Sequence, residues 1–245
     1  MGLGVLGLSL VSQLDWIPSI LISTVCFASM GVGAKIRKRG MRLEQLPARE
    51  VLARDKRPPI VLIRPFRIDD KEITAPGAKK HVMFTHEWYR GQAGFSMEQA
   101  IVDEFEAYGP VVAVGRPHER IQPLGASRLY VGTSEGWEAA VLALFRDAQR
   151  IIAIVGSGPG IRWELEQVIA SPELRSRAIF IAPPLEASSA QPWARLQKAC
   201  AQWPSVPDDT FAVIFDRDGN WKTILGPASA SNWAQHARGL AHYHR

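Results

Sequence analysis

The stretch Arg150-Ile-Ile-Ala-Ile-Val155, with Gly156-Ser-Gly-Pro-Gly160 and Ile161-Arg-Trp-Glu-Leu-Glu-Gln-Val168 behind it, limits the fold of this chain more than any other. Its β-branched start, uncharged from Ile151 to Val155, reads as a strand covered on both faces of a sheet. A glycine-rich turn follows, and then Trp163, Leu165, Val168 and Ile169 recur at a spacing that suits one face of a short helix. Strand, glycine turn and helix start together make a pocket for an anion or a ribose, because unpaired backbone N–H groups and the positive helix end face outward at the strand's carboxyl end. Glu164 falls in the first helical turn. A carboxylate there either stabilises the helix dipole or serves as the acid or base of a site.

The same kind of uncharged run recurs at Ile60–Ile63, Val111–Val114, Ala178–Ala182 and Phe211–Phe215. Between the runs lie helical patterns. Ser96-Met-Glu-Gln99 is a capping box for a helix carrying Ala100, Ile101, Phe105 and Tyr108 and closed by Gly109-Pro110. Ser134 caps a second, with Trp137, Val141, Leu144, Phe145 and Ala148 at core spacing; further helices run from about Ala190 to Trp203 and from Ser231 to about His242. Strands alternating with helices predict an α/β domain: a doubly wound parallel sheet of about five strands with helices on both faces, in the order 2-1-3-4-5 of flavodoxin-like folds. Asp216 to Asn220 turns the chain into Trp221–Leu225 as an edge hairpin. In the predicted order the switch point lies between strands one and three, so Arg64 to Asp70 should face Gly156 to Glu164 across one crevice. The long loop from Gly115 to Tyr130 would cover it. Residues 71–95 have no clear period and read as an insertion, in which His86-Glu87 lacks the second histidine of a zinc-protease motif.

With 245 residues and 47% apolar content, the chain has room for one such domain and an appendage. The appendage is N-terminal. Trp16 to Ala34 carries no formal charge and at helical rise spans about 28 Å, close to a hydrocarbon core. The basic cluster of Lys35, Arg37, Lys38, Arg39 and Arg42 behind it holds much of the net charge of +5 and places everything C-terminal in the cytoplasm. Met1 to Leu14 has no Lys or Arg ahead of the apolar region, which argues against a cleaved signal peptide. The expected organisation is therefore a membrane-anchoring segment at 1–35, a basic juxtamembrane linker at 36–58 and a cytoplasmic α/β domain at 59–245. Since the membrane accounts for the basic cluster, no nucleic-acid partner is expected. Cys26 and Cys200 have neither disulfide nor metal-ligand spacing, so a reducing compartment and no metal are expected.

Several chemistries are excluded by their motifs. No Gly-Lys-Ser or Gly-Lys-Thr marks a P-loop. A dehydrogenase is a poor fit: Pro159 interrupts the glycine turn, and the next strand ends in Ala182-Pro-Pro rather than in an acidic residue for a ribose. Pro65-Phe66-Arg67-Ile68-Asp69-Asp70, after the first strand, resembles the opening motif of TIR domains, in which a strand is followed by Ser-Tyr, one or two basic residues and Asp. Trp163-Glu164-Leu165, with Val168 three residues on, resembles the TIR helix motif of a glutamate, then Ile or Leu, then a small apolar residue. The same strand, glycine turn and glutamate also look like nucleoside deoxyribosyltransferases. The family places Ser where this chain has Pro65 and sets its tryptophan four residues before the glutamate, so an alignment through Trp163 would select Gln167, and Glu166 is the other candidate carboxylate.

The resemblance, which covers roughly residues 59–185, implies a TIR-like NAD(+) or nucleotide N-glycohydrolase acting in signalling or defence, with NAD as substrate and no bound cofactor. Its catalytic residue would be Glu164. The glycine turn of Gly156, Ser157 and Gly158 would hold ribose or phosphate; Arg64, Arg67 or Arg116 would neutralise phosphate; Phe66 or Trp163 would stack on a base; and Asp70 takes the acid of the opening motif. Each has a plainer account: Phe66 and Trp163 as core residues, the arginines as solvated charges. The alternative function is a non-catalytic, membrane-tethered assembly or nucleotide-sensing module that self-associates through the TIR-like domain.

Overall fold

In the computed structural model the chain falls into two compact units, Met1–Glu44 and Gln45–Arg245. The structure describes residues 33, 36, 40, 43–65, 72–73, 95–115, 124–131, 134–156, 159–183, 192–200, 203–226, 236–237 and 239–244. The apolar segment Trp16–Ala34 lies outside them except for Gly33. Among the described residues no helix is long and apolar enough to cross a membrane.

The unit from Gln45 is mixed α/β, built on a seven-stranded, mostly parallel sheet. Its strands are β1 (Ile60–Ile63), β4 (Val111–Val114), β5 (Ser127–Leu129), β6 (Arg150–Ile154), β7 (Ala178–Ile181), β8 (Thr210–Phe215) and β9 (Trp221–Leu225); β2 (Glu72–Ile73) and β3 (Phe95–Ser96) form a separate antiparallel pair. β1 lies between β4 and β6 and runs parallel to both, with Val61 opposite Val112 on one side and Ile151 on the other. Every residue of β1, β4, β7 and β8 is buried, which is why these runs carry no charge.

The sheet departs from the five parallel strands in the order 2-1-3-4-5 expected from the sequence. It has seven, in the order β5-β4-β1-β6-β7-β8-β9, and β8 runs antiparallel to β7 and β9 to β8. An uncharged run reports burial but not direction, so the reversal at β8 left no trace in its composition. The extra strand β5 was hidden inside the segment Gly115–Tyr130 that reads as a loop. Three residues with Arg128 at the centre do not look like a strand, yet they pair in parallel with Val112–Val114. The hairpin of β8 and β9 is closed as expected: Asp216 accepts from the backbone N–H groups of Asp218 and Asn220 at 3.0 and 2.9 Å, and Gly219 takes the left-handed φ of +85° that the turn requires.

The helices are α1 (Ala48–Arg54), α2 (Met97–Phe105), α3 (Ser134–Asp147), α4 (Pro159–Ala170), α5 (Pro172–Ser176) and α6 (Pro192–Ala199), followed by a 3-10 turn at Leu240–His244. α1 falls within the segment read as a linker. α2 buries Met97, Ile101 and Phe105, and α4 buries Ile161, Leu165, Val168 and Ile169, one face each. α4 begins on Pro159, whose fixed φ and missing N–H suit a first helical position. Beyond β7 an aromatic cluster fills the core, with Trp193 stacked on Trp203 at 5.7 Å and Phe180 and Phe215 edge-on to Trp203. Trp193 also donates its indole N–H to the Thr210 carbonyl at 2.7 Å, tying α6 to the start of β8.

At the carboxyl end of the sheet the segments leaving β1 and β6 touch. A Cβ added to Gly156 would lie 1.9 Å from Cγ of Pro65, so only glycine fits there. Gly156→Ala is therefore expected to lower stability by about 1–3 kcal/mol, the usual range for overpacking. A fall in the urea midpoint would report it, and an unchanged midpoint would mean that Pro65 moves aside freely.

Candidate functional site

Arg64 and Pro65 leave β1 at the carboxyl end of the sheet, and both are buried. α4 packs against β1 from the β6 side, which brings Glu164 within electrostatic reach of Arg64. Of the two loops expected to face each other, Pro65 and Gly156 meet at the carboxyl end of the sheet. Phe66, Arg67, Asp70, Arg116, Ser157 and Gly158 lie outside the described residues.

Glu164 points inward. It falls on the face that carries Ile161, Leu165 and Val168, at helical steps of three, one and three, and is only 8% exposed. Glu166, the competing carboxylate, is at the surface, where it accepts from Arg162 at 2.7 Å. Among the described residues none hydrogen-bonds the Glu164 carboxyl. Burial raises its pKa from the ordinary 4.5 to about 7, against the opposing pull of the Arg64 charge.

Trp163 is half-buried and packs on Trp137 of α3, ring centroids 4.9 Å apart and planes tilted by 47°. Both rings lie against the core, which accounts for Trp163 without a stacked base. Arg64 is also engaged within the protein. It donates from Nε to Glu98 at 2.8 Å and from Nη1 to the Val114 carbonyl at 3.3 Å, so a phosphate would have to compete with a buried carboxylate for it.

Glu98 is the residue that sequence reading missed. It sits in the first turn of α2, 3% exposed, and takes hydrogen bonds from Arg64, from the Ala126 N–H at 2.8 Å and from both terminal nitrogens of Arg128, that from Nη2 at 2.8 Å. Burial by itself would raise its pKa. The Arg64 and Arg128 guanidiniums and the Ala126 N–H more than offset that and hold it below the usual carboxylate range. Arg128, at 0% exposed, is the largest fully buried side chain among the described residues, and Glu98 is the anion that allows it. The backbone around the cluster is fixed as well. Gly125 has φ of +137° with its Cβ position 2.6 Å from Cγ of Glu98, and Gln45 donates to the carbonyls of Gly125 and Ala126. A signal for Glu98 did exist: it lies three residues before Ile101 and seven before Phe105, on the apolar face of α2, where a carboxylate needs a buried partner.

Comparison with known proteins assigns no family. No protein-family model and no curated protein matches this sequence. Among solved structures, the crystal structure of the C-terminal domain of the coenzyme A biosynthesis bifunctional protein CoaBC is similar over 76% of this chain and 93% of its own, at 16% identity and a TM-score of 0.33. At that score the likeness carries no functional weight.

Two expectations follow from the two carboxylates. Glu98→Ala strands two buried guanidiniums and should cost about 3–5 kcal/mol in chemical denaturation. For Glu164 the raised pKa means that the folded chain holds the proton more tightly than the unfolded one. The contribution of Glu164 to stability should therefore be greatest below about pH 4.5, fall as pH rises to about 7 and level off above that. Glu164→Gln should remove this slope and stabilise the fold at pH 8 by roughly 2–3 kcal/mol. Equal pH dependence in wild type and variant would show that Glu164 is solvated.

Proposed function

We propose that the domain is a TIR-like module of flavodoxin-like type that binds a nucleotide such as NAD at the carboxyl ends of β1 and β6 and hydrolyses its nicotinamide N-glycosidic bond. The observation that carries this reading is Glu164: a buried carboxyl that no described residue hydrogen-bonds, at the helix that follows the glycine turn, with its pKa raised to about 7. A carboxyl in that state titrates where an enzyme works.

In the proposed reaction the bond between ribose C1′ and the nicotinamide nitrogen breaks, and its electron pair leaves with neutral nicotinamide. The positive charge left on the sugar is of oxocarbenium type, and the Glu164 carboxylate offsets it. Water then bonds to C1′ and gives up a proton, for which the Glu164 carboxylate is the nearest base. Gly156 provides close backbone approach, and the N–H groups at the start of α4 favour an anionic group of the ligand. The apolar segment Trp16–Ala34 would tether the domain to a membrane, with the domain on the cytoplasmic side.

Full-length protein incubated with NAD should release nicotinamide, faster as pH rises through about 7. Glu164→Ala should lose at least about 100-fold of that rate while near-UV circular dichroism stays native. Equal rates in the variant would remove Glu164 from the chemistry. The second reading is a module that binds a nucleotide and self-associates without turning it over. It is favoured by the engagement of Arg64 with Glu98 and Val114. NAD-dependent sedimentation without nicotinamide release at any protein concentration would select it.

A further inference from the structure

We infer that β9 is a docking edge for a second copy of this chain, and that two copies join their sheets by pairing β9 with β9 in antiparallel about Thr223. Among the described residues β9 ends the sheet and pairs with β8 alone. The pairing is hydrogen-bonded at both ends of the strand: Asp216 donates its N–H to the Asn220 carbonyl at 2.8 Å, and Gly226 donates to the Asp209 carbonyl at 3.0 Å. Bonded positions alternate along an antiparallel strand, so Lys222 and Ile224 also turn their backbone groups toward β8. The N–H and C=O groups of Trp221, Thr223 and Leu225 then face outward, as a row of donors and acceptors that a further strand can take up.

The side chains of these residues share one face of the strand. Trp221 is 40% exposed and Leu225 56%, and they stand two residues to either side of Thr223. A two-fold axis through Thr223 therefore sets each Trp221 against Leu225 of the other copy and Thr223 against itself, in the register that uses every outward backbone group. On the opposite face Lys222 meets Ile224, so no like charges stand directly across from each other. A strand from an unrelated protein would need no such symmetry, and this is what points to a second copy. The contact is small. Its apolar side chains and single strand pair fall short of the roughly 1,200 Å² at which stable specific interfaces begin, so the dimer is weak in dilute solution. The tether proposed for Trp16–Ala34 would strengthen it by confining copies to one membrane.

The inference depends neither on Glu164 nor on a nucleotide. The test is analytical ultracentrifugation of the full chain in detergent micelles as the number of chains per micelle is raised. The wild type should pass from monomer to dimer. Leu225→Lys, made on an exposed side chain, should raise the dissociation constant at least about tenfold, because a lysine on an edge strand resists pairing. Adding Trp221→Glu to Leu225→Lys should restore the dimer, since glutamate and lysine of opposite copies then meet. A wild type that stays monomeric at every ratio overturns the inference. So does a Leu225→Lys variant as dimeric as the wild type, which would place the contact elsewhere in the chain. A double variant that folds, by near-UV circular dichroism, and recovers nothing overturns the two-fold register. Should the double variant not fold, Thr223→Cys decides: a short bismaleimide should join its copies well beyond the wild-type level, and no gain over wild type overturns the register.

Discussion

Two guanidinium groups cannot leave water without an anion between them, and in this domain Glu98 is that anion. Its carboxylate receives Arg64 from the end of β1, Arg128 from the middle of β5 and a backbone N–H from Ala126. Three elements distant in sequence are therefore held at one point. β5 depends on it most, because a strand with a fully buried arginine at its centre is stable only where that charge is met. Gln45, on the carbonyls of Gly125 and Ala126, extends the same restraint to the start of the domain.

Glu98 and Glu164 are both glutamates, both buried, and both within reach of Arg64, yet their environments drive them apart. Glu98 gains two cations and a backbone donor, which outweigh its burial. Glu164 gains only the residual field of an arginine already bonded elsewhere, and burial wins. A pair of carboxyls separated in this way is how a single fold keeps one permanently charged and another free to exchange a proton near neutrality. The first is an element of structure.

The parts of the fold legible in the sequence are those where burial leaves a periodic or uncharged pattern. The buried runs at Ile60, Val111, Arg150, Ala178 and Thr210 and the hairpin to Leu225 are strands, and the apolar spacings of α2, α3 and α4 are helices. What was hidden depends on pairing across the chain. Strand direction at β8 is set by the path of the connection, and β5 is too short and too polar to signal itself until Glu98 is placed opposite Arg128. In the site, the inward turn of Glu164 was readable from its helical phase with Ile161 and Val168, and so was the outward turn of Glu166. The engagement of Arg64 was not, because Glu98 lies 34 residues away in the chain.

A buried carboxyl that no described residue hydrogen-bonds works against folding, unlike the other buried charges of this domain. Arg64, Glu98 and Arg128 are gathered so that the carboxylate meets both cations, down to a glycine at 125 that leaves room for the Glu98 side chain. On α4, by contrast, Glu164 lies on a core face without a described donor. An apolar side chain there would remove a cost of about 2 kcal/mol or more. The physical case for a site in this domain thus rests less on any motif than on the contrast between a buried charge that is fully answered and one that is not.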